Sequence, residues 1–186
     1  MRRREALCAI GSVLAAPGWA QDGSARVQVP DVRLQDQSGA AHGLRALCGG
    51  PVVIGFFYTG CSTVCPPQTA ALRALRERLD AGAPKAGAAR ARLLSITVDP
   101  LGDSPEAIRA YARRFDVRLG LDAGWLMLTG QPAELARVWR AFGVPVGDPE
   151  AHSSLLWLGS ARDRWTRAAA LTPTARLAEL VGSIGA

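Results

Sequence analysis

Lysine is almost missing from this chain: Lys85 is the single lysine among 22 basic residues. The other basic side chains are arginines, scattered among acidic ones and forming no stripe with aromatic residues. That pattern excludes a nucleic-acid footprint and leaves a solvated, mildly basic exterior. Histidine and methionine are scarce too, with two of each in 186 residues. Few side chains other than cysteine are therefore on hand to ligate a soft metal. Long hydrophobic runs are also lacking. The apolar stretch over residues 6–16 is short, contains Gly11 and is followed by Pro17, so it spans a bilayer poorly. Neither an internal repeat nor a second domain is visible. The length is that of one domain with a proper core, and nothing in it requires disulfide staples to fold.

What is present begins with an export pattern. Arg2, Arg3 and Arg4 precede the apolar stretch, and Gly18-Trp19-Ala20 offers small residues around a cleavage point. Residues 1–20 thus read as a signal peptide, and the paired arginines followed by Leu7 fit the twin-arginine route. Cys8 lies too close to the start to serve as a lipid-anchored cysteine. Cleavage leaves 19 basic and 15 acidic side chains and places the chain outside the cytoplasm, in a bacterial periplasm. Thiols there oxidise unless they are kept reduced or bound to metal. Residues 21–30 read as a linker and residues 31–186 as the folded domain.

The chain is organised around residues 52–68, VVIGFFYTGCSTVCPPQ. The opening run, rich in β-branched and aromatic residues, fits a strand buried on both faces. Thr59-Gly60 turns the chain, Cys61 and Cys65 follow, and Pro66-Pro67 leads into a helical pattern. Two thiols therefore stand where a central strand gives way to a helix N-terminus, whose free N–H groups and dipole favour thiolate. On a helix, positions four apart have Cα atoms about 6 Å from each other on one face. That separation suits a disulfide, and it equally lets two thiolates converge on Cu(I) or zinc. As a mere staple, so short a loop would add only about 2 kcal/mol. A third donor would have to be a histidine: His42 reads as a surface residue on a turn, whereas His152 follows a Pro- and Gly-rich loop and precedes an apolar strand. Cys48 reads as a small buried filler.

Around this centre, residues 32–35 alternate as a half-buried strand and residues 36–39 form a turn. Leu72, Leu75 and Leu79 share a helical face, with Arg73, Arg76, Glu77 and Arg78 outward. Residues 82–90 form a surface connection. Residues 93–98 and 125–128 are further core strands, separated by a helix whose inward face carries Ile108, Tyr111 and Phe115 and which Asp103 is expected to cap. A helix over residues 132–142 stops at Gly143. Residues 154–158 and 165–169 pair as strands, and Thr172-Pro173 caps a closing helix. This order predicts an α/β fold with a mixed central sheet flanked by helices.

Taken in sequence, FFYTGCSTVCPPQ, SITVDPLGDSPEAIRAYARRF, GWLMLTGQPAELARVWRAFGV and HSSLLWLG resemble the Sco/SenC family of thioredoxin-like copper-handling proteins. The resemblance implies a thioredoxin-like fold and one copper ion, Cu(I) or Cu(II), bound by Cys61, Cys65 and His152. It also places Asp99, and with it Asp103, near the metal. By the same resemblance the protein is a non-enzymatic metallochaperone. Its recipient would be the binuclear copper site of a respiratory oxidase subunit, and a periplasmic thiol reductant would keep its cysteines reduced. Two departures stand out: the family's histidine usually follows an aspartate where Ala151 stands here, and the loop over residues 143–151 is shorter. The competing reading is a thiol–disulfide oxidoreductase using Cys61 and Cys65 alone, although such enzymes usually carry C-x-x-C rather than C-x-x-x-C.

Overall fold

A computed structural model describes residues 25–82, 90–145, 147–162 and 164–184. The expected signal peptide and most of the 82–90 connection lie outside these residues. The chain runs β1 (Arg33–Asp36), β2 (Ala41–Gly43), α1 (Leu44–Leu47), β3 (Val52–Phe57), α2 (Cys65–Ala81), β4 (Arg92–Thr97) and α3 (Pro105–Arg114). It continues through β5 (Trp125–Thr129), α4 (Pro132–Phe142), β6 (Leu155–Gly159), β7 (Thr166–Ala169) and α5 (Thr174–Gly182). The sheet order is β2-β1-β5-β4-β3-β6-β7. β3, β4 and β5 pair in parallel, and every other pairing is antiparallel. The sheet is mixed, as the element order predicts.

All six residues of β3 are buried because both faces of the sheet are covered. Val52, Ile54 and Phe56 point into one layer with Leu94, Ile96, Leu126 and Leu128, against Leu135, Val138, Trp139 and Phe142 of α4. Val53 and Phe57 point into the other with Leu93, Trp125 and Met127, against Leu72 and Leu75 of α2, Ile108 and Tyr111 of α3, and Leu177 of α5. Each such side chain contributes about 1.5–3 kcal/mol on burial, which outweighs any local strand propensity. The two layers therefore fix β3, and the C-terminal end of β3 is where the cysteine loop departs.

Several local expectations give way to tertiary structure. The chain returns from the 36–39 turn as a strand, β2, so His42 lies in a strand and not on a turn. Its Nε2 is 2.8 Å from Asp36 Oδ2. Arg76 is not outward: it is buried, donates from Nη1 to the Ala91 carbonyl at 2.7 Å and pairs with Asp80 at 2.8 Å. Asp103 does not cap α3. Ser104 does, accepting from the Ala107 N–H at 3.1 Å, which frees the neighbouring carboxylate for other contacts. α5 begins after Pro173 without a side-chain cap. Gly143 ends α4 as anticipated, in the left-handed region at φ 65° that glycine adopts without strain. Among the described residues no helix is long and apolar enough to cross a membrane.

Candidate metal centre

β3 ends at Phe57, and a tight turn delivers the first cysteine: the Cys61 N–H donates to the Tyr58 carbonyl at 3.2 Å. Helix α2 starts at Cys65 itself, with Pro66 and Pro67 in its first turn. Proline fits there because the first-turn N–H groups have no intrahelical acceptor. The two cysteines are therefore not on one helix. Cys61 sits in the loop ahead of it and takes the place of a cap, its Sγ accepting from the Cys65 N–H at 3.3 Å. The first turn of α2 is anchored by Gln68, a buried amide that donates from Nε2 to the Phe56 carbonyl at 2.8 Å.

His152 arrives from the segment between α4 and β6. Asp148 caps a single 3-10 turn, Pro149–Ala151, by accepting from the Glu150 N–H at 2.9 Å. That turn aims the Pro149 carbonyl at His152, whose Nδ1–H donates to it. A proton on Nδ1 leaves the Nε2 lone pair free, and Nε2 lies 3.2 Å from Cys65 Sγ. The Tyr58 ring meets the imidazole edge-on at 5.5 Å and 79°. This chain thus orients its histidine through a backbone carbonyl, in a turn where Ala151 has no side-chain acceptor to offer.

The three donor atoms lie within 4.8 Å of one another, and all three residues are buried. A planar ion about 2.3 Å from each sulfur and 2.0 Å from nitrogen holds its donors about 3.7–4.0 Å apart. The arrangement therefore fits such an ion after small side-chain adjustments. Two sulfurs with one imidazole suit a soft or borderline metal.

The two thiols differ electrostatically. Burial pushes Cys61 up, but hydrogen bonds from Cys65 and Thr63 outweigh it and hold its pKa below the usual thiol value. Burial pushes Cys65 up, and its hydrogen bond to Cys61 adds to the rise. The helix start therefore favours thiolate at Cys61 and not at both positions.

The other candidate residues make contacts of their own. Asp99 uses its Oδ1 to accept from the Gly102 N–H at 3.1 Å, and its carboxylate is not among the clustered donors. Asp103 is buried and reaches the cysteine loop: Oδ1 accepts from the Thr59 N–H at 2.9 Å and the Thr59 hydroxyl at 2.6 Å, and Oδ2 from the Thr97 hydroxyl. Cys48 packs in the layer on the other face of the sheet from Cys61 and Cys65, and burial pushes its thiol up to about 12. Gln68, Tyr58 and the Pro149 carbonyl were not legible as site groups. For Gln68 the one available signal was its position four before Leu72, on the inward helix face.

Several known proteins are similar to this chain. The SCO1 protein homolog of Bacillus subtilis is 33% identical over 103 residues, covering 55% of this chain and 49% of that protein. The chain spans about half the length of the curated relatives it matches. BsSco, a member of the Sco family of cytochrome c oxidase assembly proteins described with a disulfide switch, superposes with a TM-score of 0.70 at 27% identity. That match covers 88% of this chain and 96% of BsSco. Bradyrhizobium japonicum ScoI with copper bound gives a TM-score of 0.62 at 25% identity, covering 88% of this chain and 98% of ScoI. The mixed sheet with helices on both faces is the thioredoxin-like fold of these Sco structures. A family model, SCO1/SenC, matches residues 21–170, and the chain belongs to that family.

Proposed function

We propose that this protein is a copper carrier that binds one ion through Cys61 Sγ, Cys65 Sγ and His152 Nε2. The observation that carries the reading is the convergence of these three donors within 4.8 Å, with the imidazole already turned to offer Nε2. Thiolates select Cu(I), and the imidazole adds a borderline donor acceptable to either copper oxidation state. Copper bound to the related ScoI supports the same metal here. The recipient in this reading is the binuclear copper site of a respiratory oxidase, in line with the assembly role named for BsSco. Delivery takes place in the periplasm, after export directed by residues 1–20.

The test is anaerobic Cu(I) titration of the reduced protein against a competing chelator, beside His152→Ala. One ion bound tightly and lost with the histidine is the expected result. Equally feeble binding by both proteins would overturn the assignment.

A second reading is favoured by the inequality of the two thiols. The Cys61 thiolate attacks a partner disulfide, forming a mixed disulfide and releasing one partner thiolate. Cys65 then gives its proton to His152 Nε2, 3.2 Å away, and attacks Cys61 Sγ. This releases the second partner thiolate and leaves a Cys61–Cys65 disulfide, so the partner gains the two electrons this chain loses. A periplasmic dithiol must then restore the reduced form. Reduction of a disulfide-bonded recipient peptide by the metal-free protein, undiminished in a copper-free medium, would support this role. Unchanged recipient disulfide would remove it.

A further inference from the structure

We propose that Asp103 is a positioning residue that fixes the turn delivering Cys61 to the metal; the inference rests on the copper reading above. The turn runs from Tyr58 to Cys61, closed by the Cys61 N–H to the Tyr58 carbonyl, with Thr59 and Gly60 at its centre. Thr59 offers two donors, its N–H and its hydroxyl, and both end on Asp103 Oδ1. The other carboxylate oxygen takes the hydroxyl of Thr97, the last residue of β4. Thr97 is in turn paired in parallel register with Phe57, the last residue of β3. One carboxylate thus ties the cysteine turn to the rigid end of the sheet.

This carboxylate is not needed as a helix cap; besides the cysteine turn it serves only Thr97, whose hydroxyl oxygen accepts from the Asp99 N–H at 2.9 Å. Ser104 already caps α3, and Asp103 is only 1% exposed. Burying a carboxylate is costly unless hydrogen bonds compensate, and here every side-chain donor comes from the end of the sheet or the cysteine turn. Metal-site residues that orient a ligand without touching the ion commonly control its affinity, because the ligand must be held before the ion arrives. Asp103 does this for Cys61 through two backbone steps, holding the sulfur within reach of Cys65 and His152.

The test compares Asp103→Ala, Asp103→Asn and Thr59→Val as full-length proteins whose fold is checked by circular dichroism. Asp103→Ala is expected to weaken Cu(I) binding by about tenfold or more, as loss of a ligand-orienting group does. Asp103→Asn keeps an oxygen for Thr59 and turns its amide toward the Thr97 hydroxyl oxygen, which already accepts from the Asp99 N–H at 2.9 Å and has a second lone pair to offer. It is therefore expected to retain near wild-type affinity. Thr59→Val removes one donor while conserving shape, and stands in for Asp103→Ala if that variant does not fold. Unchanged affinity in both Asp103→Ala and Thr59→Val, or an asparagine variant as weak as alanine, would overturn the positioning role.

A metal-free readout separates this inference from the copper reading. The rate at which iodoacetamide alkylates Cys61 is expected to change by about threefold or more in Asp103→Ala and to recover in Asp103→Asn, because the turn sets the thiol's exposure and its bond from Cys65. A wild-type protein that binds no copper defeats the carrier assignment, while this rate ratio still decides the role of Asp103.

Discussion

His152 Nε2 lies 3.2 Å from Cys65 Sγ while its Nδ1 is held by the Pro149 carbonyl. The imidazole is thereby oriented by backbone, and the backbone is held by Asp148 at the start of the 3-10 turn. Asp148 is exposed, so its removal leaves the core untouched. Asp148→Ala is expected to loosen the turn by about 1 kcal/mol, the usual worth of such a cap. Copper affinity should fall by up to about fivefold, the equivalent of that ~1 kcal/mol, and by less than on loss of the imidazole itself. Chelator competition on Asp148→Ala and His152→Ala side by side checks the order; equal losses would show that the turn does more than orient the ring.

The inequality between the thiols predicts a pH profile. Cys61 is held below the ordinary thiol range by the hydrogen bonds from Cys65 and Thr63, against the opposing push of burial. Its thiolate therefore persists to lower pH than that of a free cysteine. Alkylation of the reduced, metal-free protein should begin at Cys61, with its midpoint below about pH 8.5, where a free thiol is half ionised. In Cys65→Ala the side-chain bond disappears and the profile should move to higher pH. Mass mapping of the alkylated site across pH distinguishes this from equal reactivity of the two cysteines.

The cysteine pair was legible because its spacing and flanks carry the information: a buried run, a turn, two cysteines and two prolines state where a strand meets a helix, whereas His152 entered as a ligand only through the family resemblance. Gly143 and the β5 and α4 runs were legible for the same local reason. Asp103 and Arg76 were not. An aspartate two before a proline looks like a cap, and only the parallel register of Phe57 with Thr97 brings it to Thr59, 44 residues away. Arg76 follows the polar face by helical period, yet the Ala91 carbonyl at the start of β4 draws it inward. The Pro149 carbonyl leaves no trace in side-chain identity at all. Sequence pattern reports local geometry and burial, whereas contacts made across the sheet must be seen.

Acid stability should depend on Asp36. Burial alone would raise its pKa, but bonds from the Ser38 hydroxyl, His42 and the Ser38 and Ala40 N–H groups hold it below the usual carboxylate value. A carboxyl with a depressed folded-state pKa stabilises the fold above its unfolded pKa of about 4, and that stability is lost as pH falls through the folded value. Asp36→Ala is therefore expected to cost about 1.5–3 kcal/mol at pH 7, as loss of hydrogen bonds to a charged group does. The gap to wild type should narrow below about pH 4. Urea unfolding at pH 7 and at successively lower pH measures it, and a gap that stays constant would assign the effect to packing alone.

Gln68 couples stability to the metal centre. Its Nε2 donates to the Phe56 carbonyl at 2.8 Å from a position 2% exposed, so the first turn of α2 is pinned to the end of β3. Gln68→Leu keeps the volume but leaves that carbonyl buried without its partner, a loss of about 1–3 kcal/mol. Cys65 begins the same turn, three residues earlier, where Val64 offers no side-chain cap and the Cys61 sulfur alone meets the first N–H. Loss of the pin should therefore weaken copper binding as well as lower the unfolding midpoint. Gln68→Glu separates the two effects, since its carboxylate faces the carbonyl oxygen when ionised but can donate when protonated. It should approach wild-type copper affinity only at acid pH, whereas Gln68→Leu should remain weaker than wild type at every pH tested. Chelator titrations of both variants from neutral to mildly acid pH, each compared with wild type at the same pH, decide the matter. If the leucine variant binds copper as tightly as wild type while unfolding earlier, Gln68 serves the core alone and Cys65 is placed by its loop.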